Sequence, residues 1–144
     1  MQVNIVNKSQ FELPKYETIL SAGMDLRANI DKDVFLFPGE REILPTGIHI
    51  QLPEGQVAKI CSRSGLAAKS GIAVLNAPGI IDPDFTGEIK VILVNLSNQP
   101  FIIEKGDRIA QMVIAKFDRI EWNQIETLDV TERGEGGLGH TGVK

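Results

Sequence analysis

Carboxylates, arginines and hydroxyls fall into a few tight clusters along this 144-residue chain, and each cluster has both a chemical and a purely structural reading. The stretch Asn76-Ala77-Pro78-Gly79-Ile80-Ile81-Asp82-Pro83-Asp84-Phe85-Thr86-Gly87-Glu88 brings an amide, a turn, carboxylates and an aromatic ring together between two apolar runs, which is the content of a pocket wall. Asp82 is flanked by Ile80, Ile81 and Phe85, a setting in which a carboxylate can be held to activate a water. The competing reading is a hairpin with solvated acids, because Asp and Gly are ordinary turn residues. Arg63-Ser64-Gly65 opens a short helical signal, where free N–H groups, a helix-dipole end, a hydroxyl and a guanidinium together suit a phosphate. Its plainer reading is a Ser64 N-cap beside a surface arginine.

Two further segments carry charged and amide side chains beside strands. Ala22-Gly23-Met24-Asp25-Leu26-Arg27-Ala28 sets Asp25 and Arg27 at strand spacing, so Asp25 either pairs with an arginine or orients the water shell of a magnesium ion. Gly106-Asp107-Arg108-Ile109-Ala110-Gln111-Met112-Val113 is a turn running into a strand, with Gln111 able to hydrogen-bond a ligand and Asp107 able to pair with Arg108, and taken singly it reads as structural. The tail carries Gly134-Glu135-Gly136-Gly137-Leu138-Gly139, but a dinucleotide fingerprint must follow a strand and open a helix, and that reading is rejected. What stays open is a frayed terminus or a mobile flap whose glycine amides and Arg133 close over phosphates. Cys61 has no histidine near it in sequence and reads as a buried structural thiol.

These residues must be positioned by short strands. No uninterrupted apolar run exceeds four residues, and 14 glycines and 7 prolines punctuate runs rich in β-branched and aromatic side chains. The pattern predicts strands at Val3–Val6, Val34–Phe37, Ile48–Leu52, Val57–Ile60, Ile72–Leu75, Ile89–Asn95, Phe101–Ile103 and Ile109–Phe117, joined as a sandwich or barrel. Ile48-His49-Ile50-Gln51-Leu52 alternates, which puts His49 on the solvent side. One short helix is expected from a Ser64 cap to Gly71, with reversals at Pro38-Gly39, Pro53-Glu54-Gly55 and Pro78-Gly79.

Composition narrows the function. The size fits one domain, and the net charge of −4 without a basic block argues against nucleic acid or a membrane surface as partner. No stretch is long and apolar enough for a membrane span, and Met1–Gln10 lacks the features of a secretion signal, so a cytoplasmic protein is expected. With one cysteine and two separated histidines, any metal would be held by oxygen.

Taken in order, Ala22–Ala28, Arg63–Ala67, Gly79–Glu88, Gly106–Gln111 and Arg133–Gly142 resemble the five motifs of the trimeric dUTP pyrophosphatases (dUTPases). The resemblance implies an all-β, jelly-roll-like distorted barrel over residues 1–132, with one short helix, and a flexible Gly-rich C-terminal arm over 133–144. It also implies a homotrimer with active sites between subunits, and magnesium-dependent hydrolysis of dUTP to dUMP and pyrophosphate. That reaction limits uracil in DNA and supplies dUMP for thymidylate synthesis. On this resemblance Asp82 deprotonates the water that attacks the α-phosphorus, and Asp25 acts through the water shell of Mg2+. Arg63, Ser64, Gly65 and Gln111 contact the phosphates, and Arg133 reaches the γ-phosphate. Asn76, Gly79, the Ile80-Ile81 backbone and the main chain near Lys90 line the uracil hairpin, while Phe85 lies against the deoxyribose.

The chain departs from the family pattern at four positions. Phe85 stands for the usual Tyr, Leu138 for the Phe that stacks over uracil, His140 for a common Ser, and Ser62 for the proline before Arg63. A dCTP deaminase of the same fold would need an acid where this chain has Ile92, which disfavours deamination. An inert nucleotide-binding or regulatory protein is the other alternative, opposed by retention of both Asp25 and Asp82.

Overall fold

The computed structural model describes residues 1–138 and 140. Its elements are β1 (Asn4–Asn7), β2 (Gly23–Arg27), β3 (Val34–Leu36), β4 (Arg41–Gln51), β5 (Gln56–Cys61), α1 (Ser64–Ser70), β6 (Ile72–Val74), β7 (Gly79–Ile81), β8 (Glu88–Asn95), β9 (Phe101–Ile103) and β10 (Arg108–Lys116). Two four-stranded sheets, ordered β1-β4-β8-β6 and β2-β10-β5-β7, accompany a two-stranded β3-β9 pair, and all the ladders are antiparallel. No two neighbours in either four-stranded sheet are consecutive in sequence, so every pairing needs a crossover, the topology of a jelly-roll-like β-fold.

Alternation explains the core. Along β4 and β8, Leu44, Ile48, Ile50, Ile89, Val91 and Leu93 turn inward and are almost completely buried, and they meet Leu26, Ile60 and Met112 of the second sheet. At roughly 1.5–3 kcal/mol for each such side chain, this interior is the main stabilising term of the fold. Two buried polar side chains are satisfied within it: Thr46 donates to the Ile89 carbonyl at 2.6 Å, and Asn95 donates to the Leu36 carbonyl at 2.8 Å.

Several expectations need correction. β4 runs back to Arg41 through Pro45 and Gly47, two residues that read as strand breakers. The ladder with β8 absorbs them by a register shift between Pro45 and His49, and Gly47 takes a φ of 70°. A side chain at Gly47 would lie 2.7 Å from the Ser9 backbone nitrogen, so glycine is needed there for close approach as well as for conformation. β2, where Asp25 and Arg27 stand at strand spacing, and β7 lie outside the apolar runs because each is short and interrupted by polar residues or glycine. Ser64 is the first helical residue and not the cap: Arg63 occupies the N-cap with extended backbone and makes no side-chain capping bond. Gly71 does end the helix in the left-handed conformation, as expected. Cys61 is only half-buried, and the His49 ring is half-buried with Nδ1 at 3.2 Å from the Thr86 carbonyl. No helix among the described residues is long and apolar enough to cross a membrane.

Candidate functional site

The second sheet gathers one polar cluster on its outer face. β10 is its organising strand, with Gln111 opposite both Asp25 of β2 and Cys61 of β5. Residues paired across a ladder share a face, so these three form an outward row above the buried row of Leu26 and Ala110. A β-bulge between Arg108 and Ala110 extends that face. Ile109 and Ala110 both turn into the core, which carries Arg108 outward to the side of Asp25; unbroken alternation would have pointed it inward.

Asp25 is the hub. Its Oδ1 accepts from Arg63 Nε at 3.0 Å and its Oδ2 from Arg108 Nη1 at 3.1 Å, while Arg63 Nη1 donates to the Arg108 carbonyl at 2.8 Å. Of the two sequence readings of Asp25, the arginine pair is therefore present, and it involves two arginines. Arg108 does not pair with Asp107, whose carboxylate instead accepts the Glu104 N–H at 2.8 Å and closes the preceding turn. Gln111 donates through Nε2 to the Ser62 carbonyl at 2.9 Å. Gly23 makes this possible, since a Cβ there would stand 2.6 Å from Gln111 Oε1. At the edge of the cluster, the first-turn N–H groups of Ser64 and Gly65 have no acceptor within the short helix. A carboxylate that orders two guanidiniums, with an amide and free N–H groups alongside, leaves donors in excess and suits a polyanion.

The hairpin residues form a second group. β6 and β7 belong to different sheets, so the chain crosses between them through Asn76, whose Nδ2 lies 3.2 Å from where a Cβ on Gly79 would be. Ile80 is exposed and Ile81 half-buried at the sheet edge. The Phe85 N–H donates to the Asp82 carbonyl at 3.2 Å, closing a turn that leaves both side chains exposed. An open recess lined by Glu54, Asp82, Pro83, Asp84, Phe117 and Arg119 surrounds the carboxylate. Lys90 lies on β8, exposed, opposite Pro45.

These two groups do not converge within one chain. Ile81 pairs with Ala58, so Asp82 lies level with Val57, four residues before Cys61 along β5, or roughly 13 Å at ~3.3 Å per residue. In the tail, Arg133 donates to the nearby Gly136 carbonyl at 2.8 Å, and the Leu138 side chain is fully exposed. Gly139 and residues 141–144 of the expected arm, Gly142 among them, lie outside the described residues.

A sequence model of the dUTPase family matches residues 9–142. The chain belongs to the dUTPase family. Among curated relatives, the deoxyuridine 5'-triphosphate nucleotidohydrolase of Finegoldia magna is 53% identical over 142 residues, covering 99% of both chains. That of Rickettsia bellii (strain OSU 85-389) is 55% identical over 144 residues, covering 99% of this chain and 96% of the relative. The fold is similar to the solved Staphylococcus bacteriophage 80alpha dUTPase with dUpNHpp, with a TM-score of 0.86, 28% identity and 99% coverage of each chain.

For a dUTPase, the structure adds residues that sequence reasoning passed over. Arg108 joins Asp25 only because of the bulge, whose sequence signal is the consecutive apolar pair Ile109-Ala110 inside an alternating run. Gly23 carries no local sign of its role, which is the room it leaves for the Gln111 amide. Ser62, where the family usually has proline, uses its carbonyl to orient Gln111 and its hydroxyl to accept the Val74 N–H at 2.8 Å, a bond that proline could not provide.

Proposed function

We propose that this dUTPase hydrolyses dUTP to dUMP and pyrophosphate at sites shared between copies of the chain. The observation that carries the reading is the convergence of Arg63, Arg108 and Gln111 around the single carboxylate of Asp25, in a chain matched to the family over nearly its full length. Arg63, the Ser64 hydroxyl, the Gly65 N–H and Gln111 bind the phosphates, and Arg133 reaches the γ-phosphate from the arm spanning 133–144, the body being 1–132. Phosphoryl transfer depends on positioning and charge stabilisation, which this donor set can supply. Asp82 accepts a proton from the water that attacks the α-phosphorus, and its exposed carboxylate is free to do so. Asn76, Gly79, the Ile80-Ile81 backbone and the main chain at Lys90 read the uracil edge, Phe85 covers the deoxyribose, and Leu138 covers the base. The bound dUpNHpp of the phage 80alpha dUTPase supports a dUTP-shaped ligand.

Among the described residues no three His, Cys, Asp or Glu side chains come together. Each oxygen of Asp25 takes one arginine N–H and keeps a further lone pair. This set fits Mg2+ held by phosphate oxygens and water, touched by the protein through water at Asp25. When bound, the ion neutralises phosphate charge.

The offset of roughly 13 Å along β5 between Asp82 and the Asp25 cluster supports a site in which the hairpin of one subunit serves the arginines of another, and the dUTPase resemblance makes that assembly a homotrimer. Light scattering of the purified protein should give three times the 15.8 kDa chain mass. The lone Cys61, which has no partner for an intramolecular disulfide, supports a cytoplasmic setting.

The test is a nucleotide panel with magnesium in which both products are assayed. Pyrophosphate should appear from dUTP and far more slowly from dTTP, dCTP or UTP. Ammonia from dCTP, or tight dUTP binding without turnover, would overturn the reading. Deamination is opposed by Ile92, which stands opposite Ile43 on β8 where an acid would be needed.

A further inference from the structure

We propose that Gly87 is a specificity-positioning residue, the seat that holds the Phe85 ring where it excludes a ribonucleotide. A Cβ built on Gly87 would lie 2.6 Å from Phe85 Cζ, 2.9 Å from Cε2 and 3.4 Å from Cε1. All three nearest atoms belong to one ring, so the ring rests directly on the bare Cα of Gly87. The backbone does not explain the glycine, because Gly87 is outside the left-handed region where glycine is favoured. What the missing side chain provides is space.

The seat matters because the ring has no polar anchor of its own. Phe85 is 43% exposed, it carries no hydroxyl to anchor its edge, and its backbone is tied by the turn bond from its N–H to the Asp82 carbonyl. The turn sets the origin of the side chain, and Gly87 sets where the ring can fold back. A ring against the sugar discriminates by shape, and shape discrimination lasts only while the ring stays in place. A methyl at residue 87 pushes on the far end of a rotatable side chain, so it displaces the ring without straining the main chain.

This inference rests on the reading that Phe85 covers the deoxyribose, and the experiment separates the two. The kcat/KM of dUTP relative to UTP is measured for the full-length chain, Gly87→Ala, Phe85→Ala and the double variant, with thermal melts of each. Gly87→Ala should lower the dUTP/UTP ratio by about tenfold, Phe85→Ala by at least as much, and the double variant no further than Phe85→Ala alone. If Phe85→Ala lowers the ratio and Gly87→Ala does not, the seat is overturned and the sugar contact stands. If neither lowers it, the reading of Phe85 fails and the seat with it. An additive double variant also overturns the seat, because Gly87 would then act other than through the ring. Should Gly87→Ala fail to fold, a folded double variant supports the clash, and an unfolded one shows that residue 87 is crowded by more than the ring and overturns it.

Discussion

Arg63 meets Asp25 through Nε at 3.0 Å and spends its Nη1 on the Arg108 carbonyl at 2.8 Å, so its guanidinium is fixed by two strands of the same sheet. The rest of its fork stays available. A planar cation held in this way loses less side-chain entropy on meeting a phosphate than one free in solvent, which is what preorganisation means for a binding site. Asp25 is three-quarters or more buried, with a side-chain exposure of 21%, so its pairs are better shielded than ordinary surface ion pairs.

Asp25→Asn should therefore weaken the cluster twice over. It removes the charge that orders both arginines, and we expect kcat/KM for dUTP to fall by about 100-fold. A urea melt should show a loss of about 1–3 kcal/mol. Unchanged kinetics and an unchanged melt would show that the arginines hold their positions without the carboxylate.

Asp82→Asn separates chemistry from binding. The side chain is exposed and lies roughly 13 Å along β5 from the level of the Asp25 cluster of its own chain, so the fold should not depend on its charge. Calorimetry should find dUTP affinity within about threefold of the parent, while kcat falls by about 100-fold or more. Near-normal turnover sinks the general-base assignment.

Ser62→Ala removes the hydroxyl that accepts the Val74 N–H but keeps the carbonyl that orients Gln111. The expected cost is about 1 kcal/mol, or about 2–5 °C in Tm. kcat/KM should stay within about twofold, since the Gln111 amide keeps its orientation. A normal Tm would mean that water replaces the hydroxyl without penalty.

Leu138→Phe tests the arm. Leu138 is fully exposed in the chain alone, and on the proposed reading it covers the base, so an aromatic side chain in its place should strengthen closure over uracil. We expect KM for dUTP to fall by about threefold to tenfold. No change in KM or kcat counts against a base-covering role for this position.

Chelation should separate activity from stability. Removing divalent ions should abolish most dUTP turnover, with recovery on adding Mg2+, yet leave Tm of the nucleotide-free protein within about 1 °C, because no cluster of three acidic, imidazole or thiol ligands exists among the described residues. A large drop in Tm would indicate an ion held by the protein itself.

Much of the scaffold was legible because alternation is a local property. Ile48 to Leu52 reads as a strand with one apolar face, and Ile48 and Ile50 are buried while Gln51 is exposed. Irregular pairing was not legible. Pro45 and Gly47 look like the end of a strand until β8 lies beside them and takes up the register shift. The helix cap was misplaced by one residue because Ser64 is the better capping residue by type, while Arg63 is drawn into the N-cap conformation and its side chain is committed to Asp25.

The sequence by itself determined the chemistry present: one carboxylate in Gly23–Arg27, a guanidinium, hydroxyl and glycine at 63–65, an amide at Gln111, and two acids and a ring in the Asp82–Phe85 turn. It also determined the all-β class, because period-two burial is written in the order of side chains. Only the tertiary structure decided which of these groups meet. Asp25, Arg63 and Arg108 come from segments 38 and 83 residues apart, joined by strand pairing and one bulge that no local pattern specifies. The same pairing carries Asp82 to the other end of β5, because an antiparallel ladder that sets Gly79 beside Ile60 must run Asp82 away from Arg63.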